Sequence, residues 1–161
     1  MKKINYVLAG LALSFSSLVN AAGYGVIDLE KVVENSQYLK QQNSSLEQSV
    51  KPQTAKLEQL TKEIEALRQK AQAQGANAQQ LNTQYQAKVT EFQSIQQGVQ
   101  AKVQSAIQNT NKTFEARLKQ AAEQLRQENS LDLVLNKNSA LASDPKFDLT
   151  DKMIQKVNAI K

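Results

Sequence analysis

Histidine, cysteine and tryptophan are absent from this chain. Their absence removes zinc sites of the usual ligand set, thiol nucleophiles, disulfides and any Ser-His-Asp triad. Only 5% of residues are aromatic, and five glycines and two prolines punctuate 161 residues. So few aromatic and turn residues argue against a β-sandwich or barrel as the main body. Glutamine is abundant instead, with 23 copies, and with Ala, Leu, Lys and Glu it favours long helices.

Lys2 and Lys3 precede an uncharged stretch from Ile4 to Val19 that holds Val7, Leu8, Leu11, Leu13, Phe15 and Leu18. Val19-Asn20-Ala21 then offers small or short residues where signal peptidase reads. This is the three-part layout of a secretory signal peptide, cleaved after Ala21 or, second, Ala22. The alternative is an uncleaved anchor. The run contains Asn5, Gly10 and three serines, and it falls short of the ~18–20 residues of a span. Cleavage would lower the net charge from +5 to +3 by removing the two lysines. Export weighs against nucleic acid as a partner.

Tyr24-Gly25-Val26-Ile27 is a short β-prone run, and Asp28 can cap the helix that follows. Val32, Leu39, Leu46, Leu60 and Leu67 recur by sevens, with Gln53 in the one gap. Val50, Leu57, Ile64 and Ala71 form a second series. Steps of four and three sustained from Val32 to Ala71 predict a coiled-coil seam. Pro52 lies inside it and predicts a kink or break near Val50–Lys51, either as a hinge or as simple curvature. Gly75-Ala76-Asn77-Ala78 predicts the turn. A second helix runs from about Ala78 to Gln127, with Leu81, Tyr85, Phe92, Val99, Val103, Ile107, Phe114, Leu118, Ala121 and Leu125 at three- and four-residue steps and Gly98 as a weak point. Helices joined by so short a turn run antiparallel, and each arm would extend roughly 70–75 Å.

After Asn129 the pattern changes. Leu131–Asn136 reads as a strand and Ser139–Ala142 as a weaker one, joined by Lys137-Asn138. Asp148-Leu149-Thr150-Asp151 reads as a capped start of a last helix, with Leu149, Met153, Ile154, Val157 and Ile160 on one face. The expected architecture is mainly α with a small β element. Residues 1–21 form the signal peptide, 22–30 and 129–161 a strand-built oligomerisation body, and 31–128 a projecting antiparallel helical hairpin. A body this small needs a staple, and without Cys or His the remaining route is self-association.

This order of parts resembles the Skp/OmpH family of periplasmic chaperones along the whole chain. The pieces that carry the resemblance are Gly25-Val26-Ile27-Asp28, Leu131 to Asn136 and the Asp148-Leu149-Thr150 helix start. The resemblance implies a homotrimer whose arms surround a cavity for unfolded outer-membrane β-barrel proteins, without nucleotide or other cofactor. By position, Val26, Ile27, Leu133 and Leu135 are then trimer-body residues. The family is also linked to lipopolysaccharide, for which this chain shows no specific motif.

The charges fit such a role. Between Ala66 and Lys112, Arg68, Lys70, Lys88, Lys102 and Lys112 face only Glu91, a net +4 on the outer arms. They would attract anionic unfolded chains or an anionic lipid surface, or serve solubility alone. Tyr85 and Phe92 read as seam residues, whereas Ile95 lies off the best-fitting seam and is a candidate client contact. Glu47–Lys51 and Glu58–Lys62 have the spacing of helix-stabilising pairs. There is no catalytic constellation and no Gly-rich phosphate loop. The leading expectation is an ATP-independent periplasmic holdase. The alternatives are a coiled-coil spacer or scaffold of the envelope, and a lipopolysaccharide or membrane-surface binder.

Overall fold

A computed structural model describes residues 23–73 and 78–161. The expected signal peptide and most of the expected Gly75–Ala78 turn lie outside them. Strand β1 (Tyr24–Ile27) leads into α1 (Leu29–Asn35), then α2 (Gln37–Ala73) and α3 (Ala78–Glu128). Strand β2 (Leu133–Asn136) and helix α4 (Thr150–Ala159) complete the chain. At 51 residues α3 is a rod about 75 Å long.

The two strands pair in parallel, Tyr24 opposite Leu133 and Ile27 opposite Asn136. A parallel pair needs a long crossover, and here the entire hairpin is that crossover. On the far edge of β1, the Leu149 N–H donates to the Val26 carbonyl (2.8 Å), which closes that edge. The outer edge of β2 has no strand beside it among the described residues. The second strand expected at Ser139–Ala142 does not form. Asn136 Oδ1 instead accepts from the Asn138 N–H and turns Lys137–Ser139 into a single 3-10 turn.

The core is small and lies at the root of the hairpin. It consists of Ile27, Val32, Phe114, Ala121, Leu125, Met153 and Val157, flanked by half-buried Tyr38, Leu39, Leu118, Val134 and Leu149. Met153 and Val157 lie four apart, so one stripe of α4 seats on α3 and α1. Gly25 is part of this packing. A Cβ there would come 2.5 Å from Leu149 Cδ1 and 3.0 Å from Leu131 Cδ1.

Local hydrogen bonds set the element ends. Asp28 caps α1 by accepting from the Lys31 N–H (3.2 Å), and its own N–H donates to Thr150 Oγ1 (2.8 Å), tying α1 to α4. Asp148 lies one residue outside the cap position of α4 and accepts from the Thr150 N–H, and hydrogen bonding from the Thr150 side chain first, then from its backbone, holds the carboxyl below the usual range. The helix breaks at Ser36, and the break expected near Val50–Lys51 does not occur: α2 runs unbroken through Pro52. Ser36 Oγ accepts from the Leu39 N–H, and Asn158 of α4 spans the joint, accepting from the Gln37 N–H and donating to the Asn35 carbonyl. At the end of α3 the Leu131 N–H reaches the Arg126 carbonyl and the Ser130 N–H the Gln127 carbonyl, with Ser130 at φ +50°. This is a Schellman cap with serine in the left-handed position that favours glycine.

Two stability changes are expected from urea unfolding at fixed protein concentration. Gly25→Ala should destabilise by about 1–3 kcal/mol, because the two leucine methyls must be displaced. Ser130→Gly should stabilise by about 1 kcal/mol, because it removes the left-handed penalty. An unchanged midpoint for either variant would contradict the corresponding packing or backbone argument.

Candidate functional site in the hairpin and its root

The inward stripe of the hairpin is mostly half-buried. In α2 it passes Leu39, Gln42, Leu46, Val50, Gln53, Leu57, Leu60, Ile64 and Leu67, and of these only Leu60 is fully covered. In α3 it passes Leu81, Tyr85, Phe92, Ile95, Val99, Val103, Ala106 and Thr110 before reaching the core at Phe114. Ile95 therefore belongs to the inward stripe, contrary to the off-seam expectation. Ile107, expected in the seam, points outward and is 49% exposed. The cause is the two successive four-residue steps from Ile95 through Val99 to Val103, which carry the stripe ahead, so that the next inward residue comes three on, at Ala106, and Ile107 goes out.

Ile107 thereby lies on two open surfaces. With Val99, Val103 and the glutamines 100, 104 and 108 it lines an apolar cleft of about 390 Å³ along α3. With Leu39, Gln42, Asn43, Leu46, Thr110 and Asn111 it lines a second, more polar hollow between the helices just above the root. The four-residue spacing of Val99, Val103 and Ile107 was visible in the sequence, but it reads equally well as seam.

Charged side chains tie the arms together in the middle. Lys88 Nζ lies 2.8 Å from Glu63 and 3.5 Å from Glu91, and Lys56 lies 3.3 Å from Glu91. Gln59 also donates to Glu63 (2.6 Å). The Lys88 hydrogen bond, then that of Gln59, holds the Glu63 carboxyl below its ordinary value, and Glu63 in turn raises Lys88. Lys102 Nζ donates to the Ser49 carbonyl across the hairpin (2.8 Å). Two of the cations expected to face a partner are thus engaged within the arm. Arg68 is exposed and reaches only Glu65, at 4.0 Å, and it borders an open hollow of about 400 Å³ with Ala71, Gln72, Asn82 and Tyr85 near the tip. Lys70 and Lys112 are exposed and enter no ion pair among the described residues.

At the root, Val26 and Ile27 are both buried but point to opposite faces of β1: Ile27 joins the core cluster, whereas Val26 lies opposite Leu135 on the other face of the sheet. Leu133 and Leu135 are 42% and 39% exposed and share one face of β2, beside exposed Tyr24, which pairs with Leu133. A two-stranded sheet with such an apolar face is marginal by itself. No three acidic side chains among the described residues gather as a metal site, and no described helix is long and apolar enough to cross a membrane.

The mid-arm ties carry a pH signature. Because the folded-state pKa of Glu63 is depressed, its stabilisation is present above the unfolded value of about 4.3 and is lost as pH falls through the folded value. Glu63→Gln should therefore lower the helix melting temperature at pH 7, and the gap to the unsubstituted protein should close in acid, once pH falls below the folded value. A gap of the same size at pH 7 and in acid would show that the carboxylate charge is not what binds the arms.

Comparison with known proteins matches this arrangement. The family model described as outer membrane protein (OmpH-like) covers residues 23–157. A search of curated proteins finds no significant match. Among solved structures, an OmpH-like protein of Caulobacter crescentus CB15, assigned provisionally as an outer membrane chaperone, superposes with a TM-score of 0.66 at 18% identity, over 86% of this chain and 85% of that one. With both long helices and every residue of the buried core cluster inside the matched span, the chain belongs to the OmpH-like family.

Proposed function

We propose that the protein is a periplasmic, ATP-independent holdase that keeps unfolded outer-membrane proteins soluble between its arms. The observation that carries this reading is the contrast between the two ends of the molecule. The root buries a compact core, while the hairpin above it holds a long, half-covered stripe of leucine, valine, isoleucine and glutamine. Such a surface offers many weak and adaptable contacts instead of one tight pocket. Affinity for an unfolded chain then comes from the number of contacts engaged together. The OmpH-like membership supports the same reading.

In this proposal copies assemble as a homotrimer through Leu133, Leu135 and the open edge of β2, with Val26 next to Leu135 on that face and Ile27 in the core behind it. The arms then surround a common space. Arg68, Lys70 and Lys112 present positive charge to an incoming chain, while Lys88 and Lys102 maintain the arm itself. Ile95, half-covered in the inward stripe, adds to that client surface. Delivery to the periplasm would rest on the leader that ends at Ala21 or Ala22. A plain spacer would need neither the exposed root leucines nor the half-open stripe.

Dilution of a urea-denatured β-barrel protein into buffer without nucleotide tests the holdase reading. Light scattering from the client should be suppressed at near-stoichiometric protein. Aggregation at the rate of the client alone would favour the spacer. Lys70→Glu with Lys112→Glu should slow capture several-fold at low ionic strength and leave it nearly unchanged at 1 M salt, where screening acts within about 3 Å. An equal rate at low salt would remove the charge from the account. Leu133→Asp with Leu135→Asp should leave single chains in size-exclusion light scattering, because assembly would desolvate two carboxylates. Assembly that survives both substitutions would place the interface elsewhere.

A further inference from the structure

Two residues in the arm have no structural reason to be what they are. Pro52 sits deep in α2, far from the first turn where proline is at home, and is exposed. Gly98 sits deep in α3, also exposed, and a Cβ built on it would meet nothing within 4 Å. Its backbone is helical without positive φ. Neither close approach nor a special conformation requires glycine there. Each residue weakens its own helix, one by deleting a backbone donor and crowding the preceding turn, the other by adding backbone freedom.

The cross-helix ties show how the two relate. Ser49 faces Lys102, Lys56 faces Glu91 and Glu63 faces Lys88. Interpolation between these contacts puts Pro52 within about one helical turn of Gly98 across the hairpin. The two weak points of the two long helices stand at the same level.

The surroundings match. Around Pro52 three backbone carbonyls take side-chain donors: Leu46 from Ser49 Oγ (2.8 Å), Ser49 from Lys102 Nζ (2.8 Å) and Val50 from Thr54 Oγ1 (3.1 Å). Serine and threonine bonds of this kind loosen and bend helices. No residue of α2 between Ser36 and Leu60, and none of α3 between Ala78 and Phe114, is fully buried. Above this level the arm is clamped by Leu60 and the Lys56–Glu91–Lys88–Glu63 ties. Below it the arm enters the root core at Phe114.

We propose that the arm has an elbow at the level of Pro52 and Gly98, where both helices yield together and the outer half swings as one body on the inner half. An elbow of this kind changes the width of the space an arm encloses without unzipping either half. It concerns the protein alone and does not depend on which client the arms hold.

The test uses the full chain. Because the chain lacks cysteine, Gln80→Cys and Gln120→Cys place spin labels on two exposed positions of α3, on either side of Gly98. The labelled protein is diluted into unlabelled protein. A straight helix sets the labels about 60 Å apart along the axis, and a bend of about 40° at Gly98 would shorten this by about 4 Å. The expected distance distribution is broad and extends several Å below the straight value. It should narrow toward that value in Gly98→Ala with Pro52→Ala. Gly98→Ala alone fills open space and should narrow it in part. A distribution already narrow in the unsubstituted protein, or one of equal width in the double variant, would overturn the elbow.

Discussion

The geometry of this protein follows from one constraint: a handful of buried side chains must hold the end of a rod about 75 Å long. Ile27, Val32, Phe114, Ala121, Leu125, Met153 and Val157 are the whole of that buried cluster. Each of α1, α3, α4 and β1 contributes at least one of them, so no element can leave without exposing the others. Hydrogen bonds with large sequence separation reinforce the same place. Asp28 to Thr150, Asn158 to Asn35 and Gln37, and Gly23 with Asp132 each join the start of the chain to its end. The root is therefore a knot of both termini of the fold, and the hairpin is what lies between them.

Above the root the balance of forces changes. Packing gives way to a seam in which most side chains are only half covered, and polar ties take over the task of keeping two helices in register. Surface ion pairs are individually weak, about 0–1 kcal/mol, so such an arm is coherent without being rigid. The same property would suit the proposed client surface, which has to accept many different extended chains. It also explains why positive charge in the sequence overstates the charge available to a partner, since Lys88 and Lys102 are already engaged across the hairpin.

Much of the fold was legible in the sequence, because heptad spacing from Val32 to Ala71 and the amphipathic stripe of α4 depend only on local periodicity. The missing third strand was less legible. Ser139–Ala142 has β-prone character, but the local bond from the Asn138 N–H to Asn136 Oδ1 diverts the backbone before a hairpin can start. The exchange of Ile95 for Ile107 in the seam also lay beyond a seven-residue template, because four-residue steps accumulate rotation along α3. The mid-arm ties were invisible for a different reason. Helical spacing suggested Glu47–Lys51 and Glu58–Lys62, yet among the described residues neither closes to ion-pair distance, and the pairs that do form across the arm require the register between two helices. The burial of Val26 and Ile27 within their own chain likewise needed the position of α4, which brings Leu149 against β1.

Among the described residues the root keeps a two-stranded sheet with an unpaired edge and two leucines turned to solvent, which the proposed assembly would complete with further copies. The molar mass of the purified, leaderless protein by light scattering tests this most directly. The account predicts a single species of three chains that persists on dilution to the micromolar range. A single-chain mass at every concentration would contradict it.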